Sequence, residues 1–257
     1  MTQSKEQILS IACKLGRGLL ENGGEVYRVE ESINFFLKAY GIKNAQIFAI
    51  PATIIVTIEV DGVPFTQLER VKSISQNMDK MHKINDLCRY ACKVKPDLSL
   101  IYDKLEDINN LKPYGFYATV LSYGMASAFF CLFWGGNYQD AVVAFAGGVS
   151  AKYCLEFMSK VKSNIFFSNV VSGAIIALIA VTGVYSGFAQ NIDKVIIGAI
   201  MMLVPGVAIT NVMRDIIAGD IITGTTKIAE VLLVATSIAI GIALTLSAVA
   251  GVMGGAI

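Results

Sequence analysis

The chain has 257 residues, of which 54% are hydrophobic and only 16% charged, and its mean hydropathy is +0.60. Because about a quarter of the residues in a soluble domain are charged, this composition excludes an ordinary soluble protein and indicates an integral membrane protein. The net charge of +1 identifies no partner class, and we expect no nucleic-acid partner, but 29 of the 41 charged residues precede Pro113, which divides the sequence into two zones.

Residues 1–112 are predicted to form a cytoplasmic α+β domain. Apolar residues at helical spacing predict two amphipathic helices, separated by a Gly-Gly pair. The β-branched runs AQIFAI and TIIVTIEV, followed by Asp61-Gly62 and VPFTQL, predict a hairpin in a small sheet, with Pro64 on an edge strand. Two more helices follow, and Pro113 ends the second.

Residues 113–257 are predicted to form an all-α polytopic membrane bundle of about five transmembrane helices. Each apolar stretch is about 20 residues long, which is enough to cross the hydrocarbon core. Basic residues follow the second and fourth spans, so the positive-inside rule puts the N-terminal domain in the cytoplasm. With an odd number of spans, the C-terminus lies on the outer side of the cell inner membrane. The predicted spans are 115–134, 138–158, 165–186, 194–213 and 228–250.

The fourth span is interrupted by the sequence LVPGVAITNVMRD. Pro205 and Gly206 predict a kink or break, which frees backbone carbonyls that must be buried in protein or line a wet cavity. One interpretation is a discontinuous helix that binds a polar substrate through the break and through Asn211 and Asp215, which lie one turn apart. The alternative is a packing kink followed by an ordinary span end, where Arg214 and Asp215 pair at the interface.

Other charged residues near the spans are candidates for transport. Lys152 falls inside the second span and is a candidate substrate ligand, although it could instead snorkel to the surface or pair with Glu156 one turn away. Asp140, Arg214 and Asp220 are candidate coupling or gating residues, and the alternative for Asp140 is a simple interfacial position. A row of charged residues at the start of the second helix is either a solvated salt-bridge row or a gating element. We predict no cofactor and no metal site.

Several segments resemble the threonine/serine exporter (ThrE) family: GGEVYRVEESINFFLKAYGI, DLCRYACK, PYGFYATVLSYG, GGNYQDAVVAFAGG and, most specifically, LVPGVAITNVMRDIIAGDIITGTTKIAEVLLVATSIAIGIAL. The similarity covers nearly the whole chain. In fused members a second membrane half follows, whereas this sequence resembles the larger subunit of the split, two-component branch that includes the YjjP and YjjB type of succinate exporter. The resemblance implies a smaller membrane partner subunit and a homo- or hetero-oligomer in the lipid bilayer.

The function implied by the resemblance is secondary export of small polar metabolites, either threonine and serine or a dicarboxylate such as succinate. The chain has no Gly-rich loop for ATP, so an ion gradient is the expected energy source. An enzyme is not expected, because residues 1–112 offer no convincing nucleophile and base pair. The alternative is a membrane-anchored metabolite sensor or regulatory protein, in which the spans serve only as anchors.

Overall fold

The computed structural model describes residues 2–60 and 62–252, and the chain divides into two compact units. The first unit contains the chain up to Lys112 together with Val207–Ile228. The second contains Pro113–Gly206 and the residues from Ala229 onwards. The polar half of the predicted fourth span therefore packs with the α+β part of the chain.

The first unit contains the helices and strands that the sequence predicts, in the same order. The three strands form an antiparallel sheet in the order β1-β2-β3. Gly62 has a φ of 82° in the turn between β2 and β3, as a two-residue hairpin loop requires; Asp61 lies outside the described residues. The elements are α1 (Thr2–Glu21), α2 (Val26–Ala39), β1 (Ala45–Ile50), β2 (Thr53–Val60), β3 (Val63–Arg70), α3 (Met78–Val94) and α4 (Leu98–Asn109).

The core of this unit lies between the helices and one face of the sheet. Along β2, alternate residues are buried, among them Ile54, Val56 and Ile58, because successive side chains of a strand point to opposite faces. The apolar stripes of the amphipathic helices cover this face, and Phe36 of α2 is fully buried there. Each such side chain contributes about 1.5–3 kcal/mol of hydrophobic stabilisation, so the α+β part has a core of its own.

The remaining elements are helical. Within the described residues, four helices are long and apolar enough to cross a membrane: α5, α6, α7 and α10. A fifth span is not confirmed, because the stretch predicted over 194–213 is divided into α8, a non-helical segment at residues 201–205, and α9. The bounds are α5 (Phe116–Phe133), α6 (Tyr138–Lys160), α7 (Ile165–Tyr185), α8 (Ile192–Ile200), α9 (Gly206–Ile217) and α10 (Ile221–Val252).

Glycines allow close helix packing in the second unit. A side chain on Gly241 of α10 would overlap the carbonyl oxygen of Val170 in α7. A Cβ on Gly198 of α8 would lie 2.7 Å from the backbone nitrogen of Cys131 in α5. Helices in membranes associate through such contacts between small residues and backbone, so these glycines hold α8 and α10 against the other helices of the unit.

Candidate functional site

The predicted interruption lies between α8 and α9. The amide groups of Leu203 and Val204 both donate to the carbonyl oxygen of Ile200, which closes the end of α8. Pro205 comes next, and α9 begins at Gly206. Because proline lacks an N–H and its ring clashes with the preceding turn, it is tolerated at a helix start but not in the interior. Pro205 therefore separates two short helices where an uninterrupted span would otherwise run.

Two of the predicted site residues on α9 bind the turn between α1 and α2. Asn211 donates from Nδ2 to the carbonyl oxygen of Gly23 at 3.0 Å. Arg214 donates from Nη1 to Oε1 of Glu25 at 2.7 Å. Only 8% of the Glu25 side chain is exposed, and its other oxygen, Oε2, accepts from Nε of Arg28 at 3.1 Å. Asn211 and Arg214 thus attach α9 to the α+β part of the first unit.

Asp215 lies one turn beyond Asn211 and is fully buried. Its Oδ2 forms an ion pair with Nζ of Lys227 at 2.9 Å. Its Oδ1 and the hydroxyl of Thr223, which is also fully buried, make no hydrogen bond within the described part of the chain. Thr223 precedes Lys227 by one helical turn, so both side chains lie on one face of α10. This region therefore combines a buried ion pair with two buried oxygens that have unused hydrogen-bonding capacity.

Asp220 lies immediately before α10, and its amide donates to the carbonyl oxygen of Asp215 at 2.9 Å. Its charge also acts on Glu30 of α2. Burial raises the pKa of Glu30 above its usual value and the charge of Asp220 adds to the rise, while the hydrogen bond from the amide of Ala49 opposes it. Asp220 thus lies within electrostatic range of α2, in the same unit as Asp215.

Asp140 and Lys152 lie on α6 in the second unit. Asp140 is fully buried and forms a capping box with Asn137. Its carboxylate accepts hydrogen bonds from the amide groups of Asn137, Gln190 and Asn191 and from the side chain of Asn191. Nζ of Lys152 lies 3.4 Å from Oε2 of Glu156, which is the ion pair that the alternative interpretation of Lys152 predicts. Both residues therefore have defined structural contacts within the second unit.

A cleft of about 1100 Å³ lies between α2 and α3. Its walls include Glu25, Arg28, His82, Cys88 and Cys92. Burial raises the pKa of Cys88 to about 12, so this thiol is protonated at neutral pH and is a poor nucleophile or metal ligand. The size of the cleft is suited to binding a small molecule.

Sequence reasoning did not include Lys227 or Thr223 among the site residues, and it considered Glu25 only as a member of the charged row at the start of α2, for which gating was one of two interpretations. Lys227 could have been found as a lysine close to the start of a long apolar helix, where an opposite charge is expected nearby. Thr223 carries no such signal, because threonine is common in membrane helices. The contact between Glu25 and Arg214 joins residues 189 positions apart, and no local pattern predicts it.

A family model described as "Putative threonine/serine exporter" matches residues 10–249. The chain is 25% identical over 248 residues to the "Threonine/serine exporter" of Corynebacterium glutamicum, with 92% of this chain and 50% of that protein covered. It is 26% identical over 253 residues to the "Probable succinate transporter subunit YjjP" of Klebsiella aerogenes, with 93% and 92% covered. The protein of the same description from Escherichia coli K12 is 22% identical over 255 residues, with 95% and 96% covered.

The chain therefore spans about half the length of the Corynebacterium relative and nearly the full length of the two YjjP relatives. No solved structure shows significant similarity to it.

Proposed function

Because the chain belongs to the threonine/serine exporter family, we propose that it is the larger membrane subunit of a secondary exporter for small polar metabolites. A smaller membrane subunit completes the transporter. The word "subunit" in the description of the two YjjP relatives supports a partner, and the Corynebacterium relative, which is about twice as long as the matched region, supports a second membrane half. The family and the four apolar helices identify a multi-pass membrane protein of an exporter family rather than an enzyme family.

The packing of Val207–Ile228 is the observation that carries the proposal. α5, α6 and α7 can each span the bilayer, and three spans take the chain from one side of the membrane to the other. Val207–Ile228 belongs to the same compact unit as the chain up to Lys112, which we assign to the cytoplasm. The chain must then return between Tyr185 and Val207. α10 crosses once more and takes the chain outwards.

The return crossing has too little helix to be an ordinary span. α8 contains nine residues, which is about 14 Å of helix, whereas the hydrocarbon core is about 30 Å thick. The remainder is made by the non-helical residues 201–205 and their neighbours. Irregular backbone at membrane depth is tolerated only where it is buried in protein or lines a water-filled cavity. We therefore propose that the substrate passes beside this segment, which Pro205 and Gly206 create.

The charged pair beyond the break favours an amino acid over a dicarboxylate. Threonine and serine are zwitterions, so a site for them needs an acceptor for the ammonium group and a donor for the carboxylate. Asp215 of α9 provides the acceptor and Lys227 of α10 provides the donor. The Thr223 hydroxyl, on the same face of α10 as Lys227, is a third polar group. Succinate has two negative charges, which a carboxylate would repel. Asn211 and Lys152 remain proposed substrate ligands, and Asp140, Arg214 and Asp220 remain proposed coupling or gating residues.

Efflux from intact cells tests this function. Cells preloaded with both threonine and succinate would express the chain alone, the partner alone, or both, and each metabolite would be measured outside over time. We expect threonine release that requires both subunits and that falls strongly in Asp215→Asn and in Pro205→Ala when the rate is divided by the amount of protein in the membrane. Release of neither metabolite from an inserted and associated pair would refute the proposal. Wild-type efflux in both variants would refute the site.

A metabolite sensor is the second candidate, because the cleft between α2 and α3 is large enough for a small molecule. In that case the purified full chain would bind threonine or succinate, and no metabolite would leave the cell at a rate that depends on the chain. Binding is measured by isothermal titration calorimetry of the detergent-solubilised protein. Variants of the return crossing, such as Pro205→Ala, would then leave binding unchanged.

A further inference from the structure

We propose that Glu25 is a positioning residue for transport: together with the Gly23 carbonyl, it holds α9 to the α+β domain, so that the segment after the break moves with that domain. This inference rests on the proposed function, because it names what controls the discontinuous crossing. The set of contacts formed by Asn211 and Arg214 with Gly23 and Glu25 is called the α9 anchor below.

The α9 anchor contains a short hydrogen bond to a carboxylate that is largely buried. Glu25 is largely buried and carries its carboxylate between two guanidinium groups, Arg214 on one oxygen and Arg28 on the other. The bond to Arg214 is 2.7 Å long, which is short for a nitrogen–oxygen pair and typical of charge-assisted hydrogen bonds. Of these three side chains only Glu25 is largely buried, since about half of the Arg214 side chain is exposed. Removing the Arg214 charge would therefore leave one oxygen of a largely buried carboxylate without its partner.

The turn that receives α9 has a conformation that requires glycine. Gly23 has a φ of 93°, a region that other residues rarely adopt. A Cβ on Gly24 would lie 2.9 Å from the carbonyl oxygen of Leu19, which is closer than side chains tolerate. The two glycines therefore let the chain turn tightly after α1, exposing the Gly23 carbonyl to Asn211 and starting α2 with Glu25 directed at Arg214.

The anchor lies close to the break along the chain. Asn211 and Arg214 are three residues apart on one face of α9, and only five residues separate Asn211 from Pro205. A helix transmits displacement along its axis because its hydrogen bonds keep it rigid. A shift of the α+β domain thus carries α9 with it and is passed through Gly206 to the non-helical residues of the return crossing. In this way the domain controls whether the crossing is open to substrate.

The polarity of α9 supports this assignment. Its anchored face is polar, whereas its apolar side chains Val207, Ile209, Met213 and Ile217 are exposed. An ordinary helix of a soluble domain has the opposite arrangement, with its apolar stripe facing the core. Val212 is the buried apolar side chain of α9, so hydrophobic burial contributes less to holding α9 in place than it does for an ordinary amphipathic helix. The hydrogen bonds and the ion pair of the anchor contribute a correspondingly larger share.

Hydrogen–deuterium exchange of the full chain in detergent, together with efflux, tests the anchor. Glu25→Gln and Arg214→Gln are each expected to speed exchange in peptides covering α9 about ten-fold, equivalent to about 1.4 kcal/mol. The double variant is expected to match the single variants, because both remove the same interaction. Arg28→Gln is the matched control, because it removes the other ion pair of Glu25. Among the described residues the partners of Arg28 are Tyr27, Glu25 and Glu31 of α2 and its N-cap, so exchange in α9 should stay within about two-fold of the wild type.

In efflux assays, Glu25→Gln is expected to lower the maximal rate without changing the internal concentration that gives half-maximal efflux, because Glu25 positions the path and does not bind substrate. Unchanged exchange in α9, or a double variant whose effect is the product of the single effects, would overturn the anchor. Faster exchange with wild-type efflux would overturn the positioning role. If the wild-type pair exports neither threonine nor succinate, the proposed function fails, while the exchange result still decides whether the anchor exists.

Discussion

Removal of the Lys227 ammonium should destabilise the first unit strongly. In the variant Lys227→Met the side chain keeps a similar length but loses its charge, so Asp215 retains a buried carboxylate with no cation. Asp215 is fully buried, and its Oδ1 already makes no hydrogen bond within the described residues. Lys227 is the cation that the described residues bring to this carboxylate, so without it the charge must be neutralised or hydrated at a cost to the folded state.

The expected size follows from the burial of the pair. Breaking a buried ion pair by removing one partner costs about 3–5 kcal/mol. Because 14% of the Lys227 side chain is exposed, we take the lower end, about 3 kcal/mol, which corresponds to a fall in Tm of about 6–12 °C for a chain of this size. The matched control is Lys83→Met, which breaks an exposed i,i+4 pair with Asp79 and should cost less than about 1 kcal/mol.

Thermal unfolding of the purified full chain in detergent, followed by circular dichroism at 222 nm, measures these effects. The double variant Lys227→Met/Asp215→Asn buries no charge and should recover more than half of the lost Tm. It should nevertheless fail in efflux, since both charges of the proposed amino-acid site are gone. A single variant as stable as the Lys83→Met control, or a double variant no more stable than the single one, would refute the buried pair. Wild-type efflux by the stable double variant would refute its role in binding.

Three further predictions concern packing, capping and thiol chemistry. Gly241→Val should destabilise the second unit by about 1–3 kcal/mol, because its side chain meets the Val170 carbonyl. Gly251→Val, whose Cβ would have no described residue within 4 Å, should behave as wild type in thermal unfolding. Asp140→Asn should lower the Tm, because an amide cannot accept all four hydrogen bonds that the carboxylate accepts. Loss of efflux at an unchanged Tm would instead favour the coupling role of Asp140. Burial raises the pKa of Cys88 to about 12, so about one molecule in 10⁵ should carry the thiolate at pH 7. Iodoacetamide should therefore label Cys88 only after denaturation. Labelling of the folded protein at the rate of a free thiol would contradict the burial of Cys88.

The elements of the α+β domain could be predicted because their signals are local. The alternation of buried residues in β2, the turn at Gly62 and the amphipathic spacing in α2 each depend on a few neighbouring residues. The apolar helices α5, α6 and α7 were equally clear from length and composition. Their ends agree with the predicted spans within two residues, because polar or glycine-containing turns interrupt the apolar sequence there.

The division of the predicted fourth span into α8 in the second unit and α9 in the first could not be predicted from local signals. Pro205 gave the position of the break, but the sequence after it remains apolar enough to continue a membrane helix. What directs α9 to the first unit is its contact with Gly23 and Glu25, which are 188 and 189 residues away from their partners. Contacts over such distances leave no periodic trace in one sequence. The same reason explains why Lys227, the partner of Asp215, was not predicted as a site residue.

The polar residues of α9 contact two different parts of the first unit, and this changes how the effects of their variants should be interpreted. The sequence suggests one polar face that lines a transport path, with Asn211 and Asp215 one turn apart. In the structure, Asn211 and Arg214 bind the turn at Gly23, while Asp215 pairs with Lys227 on α10. A loss of efflux in Asn211→Ala would therefore reflect a loosened anchor as readily as a lost substrate ligand. The affinity for substrate distinguishes them, since an anchor variant lowers the maximal rate and a ligand variant raises the concentration needed for half-maximal efflux.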